Sequence, residues 1–190
     1  MVLRFAINGL LRRLSLGLAG RGFRRDVRGA AAIEFGLLAI PFFGLLFAIL
    51  QVGLVFFAGQ SLETAVANTA RLVRTGQAQQ LGYTATDLTS QICSQVSALF
   101  TNCTTNLKLD VRTYATFDSV DLAKPVDVNG NLKTNTFIYA AGHGSDIVVI
   151  RAFYEWPVFA KLLSFNLTNL ADGNHLLASV AAFRNEPFPW

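Results

Sequence analysis

From Phe35 to Leu62 the chain carries no charged residue, and Gln51, Gln60 and Ser61 are the only clearly polar positions among those 28. The hydrocarbon core of a bilayer takes about 20 predominantly apolar residues. Phe35–Ala58 meets that length with one polar interruption, so a single transmembrane span is expected there. Past the span the pattern changes from uniformly apolar to amphipathic without any breaker. Leu62, Ala65, Val66, Thr69, Leu72 and Val73 recur at the 3.6-residue period, while Glu63, Asn68, Arg71 and Arg74 fall off that stripe. Residues 30–76 therefore read as one long helix that continues outside the membrane. Arg71 and Arg74 suit the negative end of its dipole, and Gly76 supplies a C-cap.

The remaining pattern predicts a second amphipathic helix and at least three strands. The helix starts at Thr86 or Asp87 and runs to Phe100, with Leu88, Ile92, Val96 and Leu99 on one face. Asn106–Phe117 alternates, with Leu107, Leu109, Val111, Thr113 and Ala115 on one side and Lys108, Asp110, Arg112 and Tyr114 on the other. Asp118–Thr136 is loop-rich, with Pro125 and an Asn129-Gly130 turn signal. Asp146–Trp156 is β-branched and aromatic and ends at Pro157; after an apolar loop, His175–Arg184 reads as a last strand. Helices followed by strands make an α+β fold with an antiparallel sheet of three to four strands. The expected organisation is a leader over 1–29, the long helix over 30–76 and an α+β domain over 77–190.

Charge changes this picture in one respect. The whole chain is at +4 with a pI near 9.4 and a mean hydropathy of +0.41. Residues 1–28 hold seven arginines against Asp26, a local charge of +6, and the other 162 residues sum to −2. A nucleic-acid-binding domain needs its basic side chains on a folded face, so no nucleic-acid partner is expected. The arginines instead hold the N-terminus on the cytoplasmic side, by the positive-inside rule, and send residues 63–190 across the membrane. The apolar core is longer than the 7–15 residues typical of a cleaved secretory signal, and no small-residue site clearly ends it. The leader's own apolar residues fit an amphipathic helix on an anionic leaflet or a frayed tail, and the sequence does not choose between them.

Candidate chemistry is sparse. Cys93 and Cys103 are the only cysteines, an even count on the exported side, which favours a disulfide from the second helix to the following turn over two free thiols. No further ligands accompany them for a metal, and no cofactor is expected. Gly142-His143-Gly144-Ser145-Asp146 contains the residue types of a hydrolytic triad. Adjacency does not create the convergence that catalysis needs, so the segment reads as a tight connection into a strand and the chain as no enzyme. Within the span, Pro41 removes a helical donor and serves a kink or is simply tolerated. Ala32/Gly36 and Gly44/Ala48 are small-residue pairs that permit close helix approach.

The informative stretch is the junction Arg28-Gly29-Ala30-Ala31-Ala32-Ile33-Glu34-Phe35. A carboxylate at the edge of an apolar helix costs a few kcal/mol even on the lenient insertion scale. A cut after Gly29 would give Ala30 a new α-amino group, and that cation in another copy would neutralise Glu34 inside a helical bundle. The basic leader, Gly29, Glu34 five residues later, Phe35 and an apolar helix resemble the prepilin pattern of type IV pilins. Two further stretches, Asp146–Pro157 and Ala181–Pro187, make the chain similar to the TadE-like family, pseudopilins of the tight-adherence (Flp-type) pilus system.

The resemblance implies that Gly29 is the last leader residue and Ala30 the mature N-terminus, with a prepilin peptidase as processing partner. It implies that Glu34 is the carboxylate needed for processing or assembly, followed by the apolar Phe35. It places the chain in a bacterial inner membrane as a single-span precursor with a periplasmic domain. Its partners would be other pilins or pseudopilins, met through the N-terminal helix, the inner-membrane pilus assembly platform and the lipid bilayer. An uncleaved bitopic scaffold of the same machinery is the alternative.

Overall fold

The computed structural model of the chain describes residues 28–158 and 168–189; residues 1–27 of the leader and the most apolar part of the loop after Pro157 lie outside the described residues. The chain divides into two units, Met1–Leu46 and Phe47–Trp190. Helix α1, Arg28–Arg74, runs without interruption through that boundary and contains Pro41.

In the first unit α1 has no apolar side to hide. Ile33, Phe35, Leu37, Leu38, Ile40, Phe42, Phe43 and Leu45 are all exposed, and they cover every direction around the helix. A helix that is apolar all round needs an apolar solvent or a surrounding core. At 1.5 Å per residue, Gly29–Leu46 is about 27 Å long, close to the roughly 30 Å of a bilayer's hydrocarbon. Among the described residues, α1 is the one helix long and apolar enough to cross a membrane, and this fits a single-pass membrane protein.

From Ala48 onward α1 becomes one-sided. Ala48, Gln51, Val55, Ala58, Leu62, Ala65 and Thr69 are buried, at alternating steps of three and four residues, with Val66, Ala70 and Val73 beside them. Up to Phe57 the opposite side is still apolar and exposed, through Ile49, Leu50, Leu54, Phe56 and Phe57. After Phe57 it turns polar: Gln60 Nε2 donates to Glu63 Oε2 at 3.1 Å. The stripe expected over Leu62–Val73 is therefore present, and it begins at Ala48, fourteen residues before Leu62.

The helix ends at Arg74. Gly76 sits at φ +78 with its N–H on the Val73 carbonyl, the left-handed geometry that closes a helix. A short helix α2, Gln77–Gln80, follows. Helix α3, Ala85–Val96, starts slightly before the expected point because Thr84 and Asp87 form a capping box: the Thr84 hydroxyl accepts from the Asp87 N–H, and the Asp87 carboxylate accepts from the Thr84 N–H. Neither α2 nor the four-residue α4, Cys103–Asn106, was signalled by periodicity, which a single turn is too short to display.

Strands β1 (Lys108–Tyr114), β2 (Ile147–Trp156) and β3 (His175–Arg184) form an antiparallel sheet in the order β1-β2-β3. Among the described residues the strand count is three. Helices α1 and α3 cover one face; Leu62, Val66, Leu88, Ile92, Val111, Val148, Ile150, Tyr154 and Leu177 share that core. The connection between β1 and β2 folds over part of the other face, where Val126, Leu132 and Phe137 pack on Phe153, Leu170 and Leu176. Central β2 is consequently buried on both faces from Ile147 to Tyr154, which explains its unbroken apolar run.

The polar side of β1 is covered as well: Asp110 is wholly buried and Arg112 half-buried, because the β1–β2 connection lies over them.

Candidate functional site

The sequence-derived candidates fall into groups that the fold keeps apart. Gly29, Ala30, Ala32, Glu34, Phe35, Gly36, Pro41 and Gly44 lie on the first-unit part of α1, and Ala48 on its second-unit part. Cys93 lies on α3 and Cys103 opens α4.

The Gly29–Phe35 stretch is almost two continuous turns of helix with every residue exposed. Glu34 therefore projects from an apolar rod, three positions before the uniformly apolar Leu37–Ile40 run. A Cβ added at Gly29 or at Gly36 would meet no atom within 4 Å. Among the described residues, nothing demands a small residue at either position. Gly36 and Gly44 are half-buried and Ala32 is exposed, whereas Ala48 is buried in the second unit. The two small-residue pairs are thus not equivalent: Ala32/Gly36 is an open shelf, and Ala48 already faces packed protein.

Cys93 and Cys103 are joined as a disulfide, with Cα atoms 5.6 Å apart and both residues in the core. The bridge ties the last turn of α3 to the start of α4. Phe100, inside the bridged segment, packs edge-on against Tyr154 at 4.5 Å between centroids and against Trp156 at 5.5 Å. The Tyr154 hydroxyl donates to the Thr101 carbonyl at 2.9 Å, so the staple holds the α3–α4 turn on β2.

His143, Ser145 and Asp146 are held in one turn. Asp146 Oδ2 accepts the His143 backbone N–H at 2.8 Å, and Ser145 adopts φ +70. Gly142 is at φ +69, where a Cβ would lie 2.8 Å from Thr113 Cγ2 and 3.0 Å from Asp146 Oδ2. The glycine-rich spelling follows from that close approach. Asn185, buried beside the turn, donates from Nδ2 to the carbonyls of Ala141 and His143 at 3.1 and 2.9 Å. Its own N–H goes to the Asp146 carbonyl at 2.8 Å.

These contacts bring together stretches that are far apart in sequence. The Glu186 N–H donates to the Arg74 carbonyl at 2.8 Å, and Arg74 Nε lies 3.6 Å from Glu186 Oε1. The chain around Asn185 and Glu186 therefore caps α1 and locks the turn before β2 in one step.

The site that pattern reading missed is the charge cluster on β1 and β2. Asp110 stands opposite Arg151 in register, and Arg151 donates from Nε and Nη2 to Asp110 Oδ2. Arg112 Nε lies 3.0 Å from both carboxylate oxygens, and the Ile138 N–H donates to Oδ1 at 3.0 Å. Burial alone would raise the Asp110 pKa, but the Ile138 N–H and the Arg151 and Arg112 guanidinium groups outweigh it, and the carboxyl is held below its ordinary range. The same arginines grip the covering connection: Arg151 Nη1 donates to the Asp121 and Ala123 carbonyls, and Arg112 Nη2 to that of Thr136. This cluster is a clasp for residues 121–138. A charged residue inside the apolar run of β2 was the one signal that a buried acid must face it.

Residues 29–71 match the family described as TadE-like protein. That segment is the exposed apolar part of α1 together with most of the part that enters the domain core, and the match bears out the resemblance seen in the sequence. No curated protein matches the chain, and no solved structure matches it.

Proposed function

We propose that the chain is a pseudopilin used in assembling an adhesive pilus of the tight-adherence type. It enters a bacterial inner membrane as a single-span precursor with its arginine-rich end in the cytoplasm. A prepilin peptidase removes residues 1–29, and Ala30 becomes the mature N-terminus. The carrying observation is the apolar helix Gly29–Leu46, exposed on every side and bearing one carboxylate at Glu34, within a segment similar to TadE-like proteins.

Physically, the helix is a store of lateral contact surface. In the membrane its partners are lipid chains; in an assembly its partners are other helices of the same kind. The open shelf at Ala32 and Gly36 lets a neighbouring backbone approach. Glu34 gives the assembly its register, because a carboxylate leaving lipid gains most from one particular partner, the cationic α-amino group of a processed neighbour. Residues 63–190 are the periplasmic part, and their role is structural rather than catalytic.

The test is complementation. In a strain lacking this chain, the wild-type protein restores pilus assembly, while Glu34→Ala reaches the membrane in normal amount but does not. His143→Ala restores assembly fully. Normal pili with Glu34→Ala, or their loss with His143→Ala, would contradict the proposal.

A further inference from the structure

The two edges of the sheet are finished differently. In an antiparallel pair every second residue turns its N–H and C=O toward the neighbouring strand, and the residues between turn theirs away. On β1 the outward residue Val111 is already bonded: its N–H donates to the Ile138 carbonyl at 2.9 Å, and its carbonyl accepts the Ala140 N–H at 2.8 Å. The β1–β2 connection thus closes the middle of that edge. On β3 the phase is fixed at both ends. The Asn185 N–H donates inward to the Asp146 carbonyl, and the Leu176 N–H donates outward to Asn169 Oδ1 at 2.6 Å. Ala178, Val180, Ala182 and Arg184 therefore turn their N–H and C=O groups outward, where these meet no partner among the described residues. All four residues are exposed.

An open edge is usually blunted by a charge, a proline or a bulge, because unpaired strand groups are a template for another chain. Between Leu177 and Phe183 β3 has no charge and no proline, and its ten residues pair with β2 in unbroken register. The topology disfavours a second copy as the occupant. β3 runs alongside α1 in the same direction: a Cβ added at Gly59 would lie 3.9 Å from Leu177 Cδ2, and the Glu186 N–H meets the Arg74 carbonyl. An antiparallel β3–β3 pair has its two-fold axis perpendicular to the sheet, so it would turn the second α1 end for end. Two copies paired in that way do not share one membrane in the same orientation. A parallel β3–β3 pair staggers its bonds by one residue and is not closed by a two-fold axis. A neighbour's β1 is already occupied at Val111.

We infer that β3 accepts an extended segment of another polypeptide as a further strand at the open edge of the sheet. The chemistry of that segment follows from the row it lies beside. Ala178, Val180, Ala182 and Arg184 share one side of the strand. The two alanines leave room on either side of Val180, so the segment carries branched or aromatic side chains opposite them and a smaller one opposite Val180. Arg184 is exposed and in no ion pair among the described residues, so a carboxylate opposite it completes the row. In the antiparallel sense this spells Glu-x-Val-x-Thr-x-Val. The inference depends neither on cleavage at Gly29 nor on the role of Glu34.

The experiment uses the full chain in lipid nanodiscs and a fluorescein-labelled heptapeptide, Glu-Thr-Val-Thr-Thr-Thr-Val, as the probe. Fluorescence anisotropy reads its affinity, and amide hydrogen exchange reads where it binds. The peptide binds with a dissociation constant of about 0.01–1 mM. It slows exchange at the Val180 and Ala182 N–H groups and leaves Val111 unchanged. Lysine in place of the peptide's glutamate weakens binding by about fivefold. N-methylation of the peptide amides that face β3 abolishes binding, and methylation of the alternate amides does not. Ala182→Pro removes one outward N–H and weakens binding by at least about tenfold. Val180→Lys does the same at an exposed side chain, so it keeps the test open if the proline variant does not fold. Four results would overturn the inference: no binding up to about 5 mM, equal binding of the peptide methylated on its facing amides, unchanged binding in folded Val180→Lys, or a Val180→Cys disulfide between two copies showing that β3 already pairs with itself.

Discussion

Asp110 and Arg151 face each other across the β1–β2 pair, and Asp110 has no exposed surface at all. A charge pair in that position is not a bonus added to a finished fold. It is the condition under which β2 can carry an arginine in its middle, and its spare donors bind the connection that seals it from water.

Removing one partner should therefore cost more than an exposed ion pair would. Asp110→Asn leaves Arg151 buried without its counter-ion, and a loss of about 3–5 kcal/mol is expected. Urea denaturation followed by tryptophan fluorescence measures it. The pH dependence has a definite sign. The Asp110 carboxyl is held below its ordinary value of 3.8, so its contribution is complete above that value and is lost as pH falls through the lower, folded-state value. The gap between wild type and Asp110→Asn should narrow only in that acid range; a gap that closes near neutrality would refute the assignment.

The cap on α1 makes a second prediction. In Gly76→Ala a methyl group would enter a left-handed position and lie 2.7 Å from Phe188 Cδ1. A loss of more than about 1 kcal/mol follows from the backbone term alone. Asn185→Ala strips the Ala141 and His143 carbonyls of their shared donor, for about 1–3 kcal/mol. Hydrogen exchange should accelerate in both variants at Asn185 and Glu186, whose N–H groups close the turn and the helix. Unchanged protection there would show that the C-terminal stretch does not cap α1.

The disulfide gives a third. Cys93 and Cys103 are ten residues apart in sequence, and closing a loop of that size stabilises by about 3 kcal/mol in the chain-entropy account. The Cys93→Ser/Cys103→Ser double variant should lose a similar amount, and the aromatic contacts of Phe100 should loosen first. Intact mass before and after reduction should differ by two hydrogens; identical masses would mean that the thiols are free.

Much of this architecture was legible from residue types alone. The apolar run from Phe35, the stripe from Leu62 and the bounds of β3 all come from periodicities long enough to read. The disulfide partners were legible because there was no other pair to choose. What pattern reading could not show was compensation at a distance. The lysine, aspartate and arginine side of β1 looks like a solvated face until the connection that follows β1 folds back over it. Likewise the expected span over Phe35–Ala58 hides a change of surroundings at Ala48, because alanine and valine look alike in lipid and in a protein core. The cap that Glu186 places on Arg74 joins residues more than a hundred positions apart, and no local spacing announces it.

The processing junction lies at the centre of the account, and the most direct measurement is the first residue of the mature protein. The chain should be isolated from membranes of a host that has its prepilin peptidase, then examined by N-terminal sequencing and intact mass. The account predicts a chain beginning at Ala30, lacking all seven leader arginines and carrying a net charge of −2. A chain that retains residues 1–29 would contradict it and favour the uncleaved scaffold.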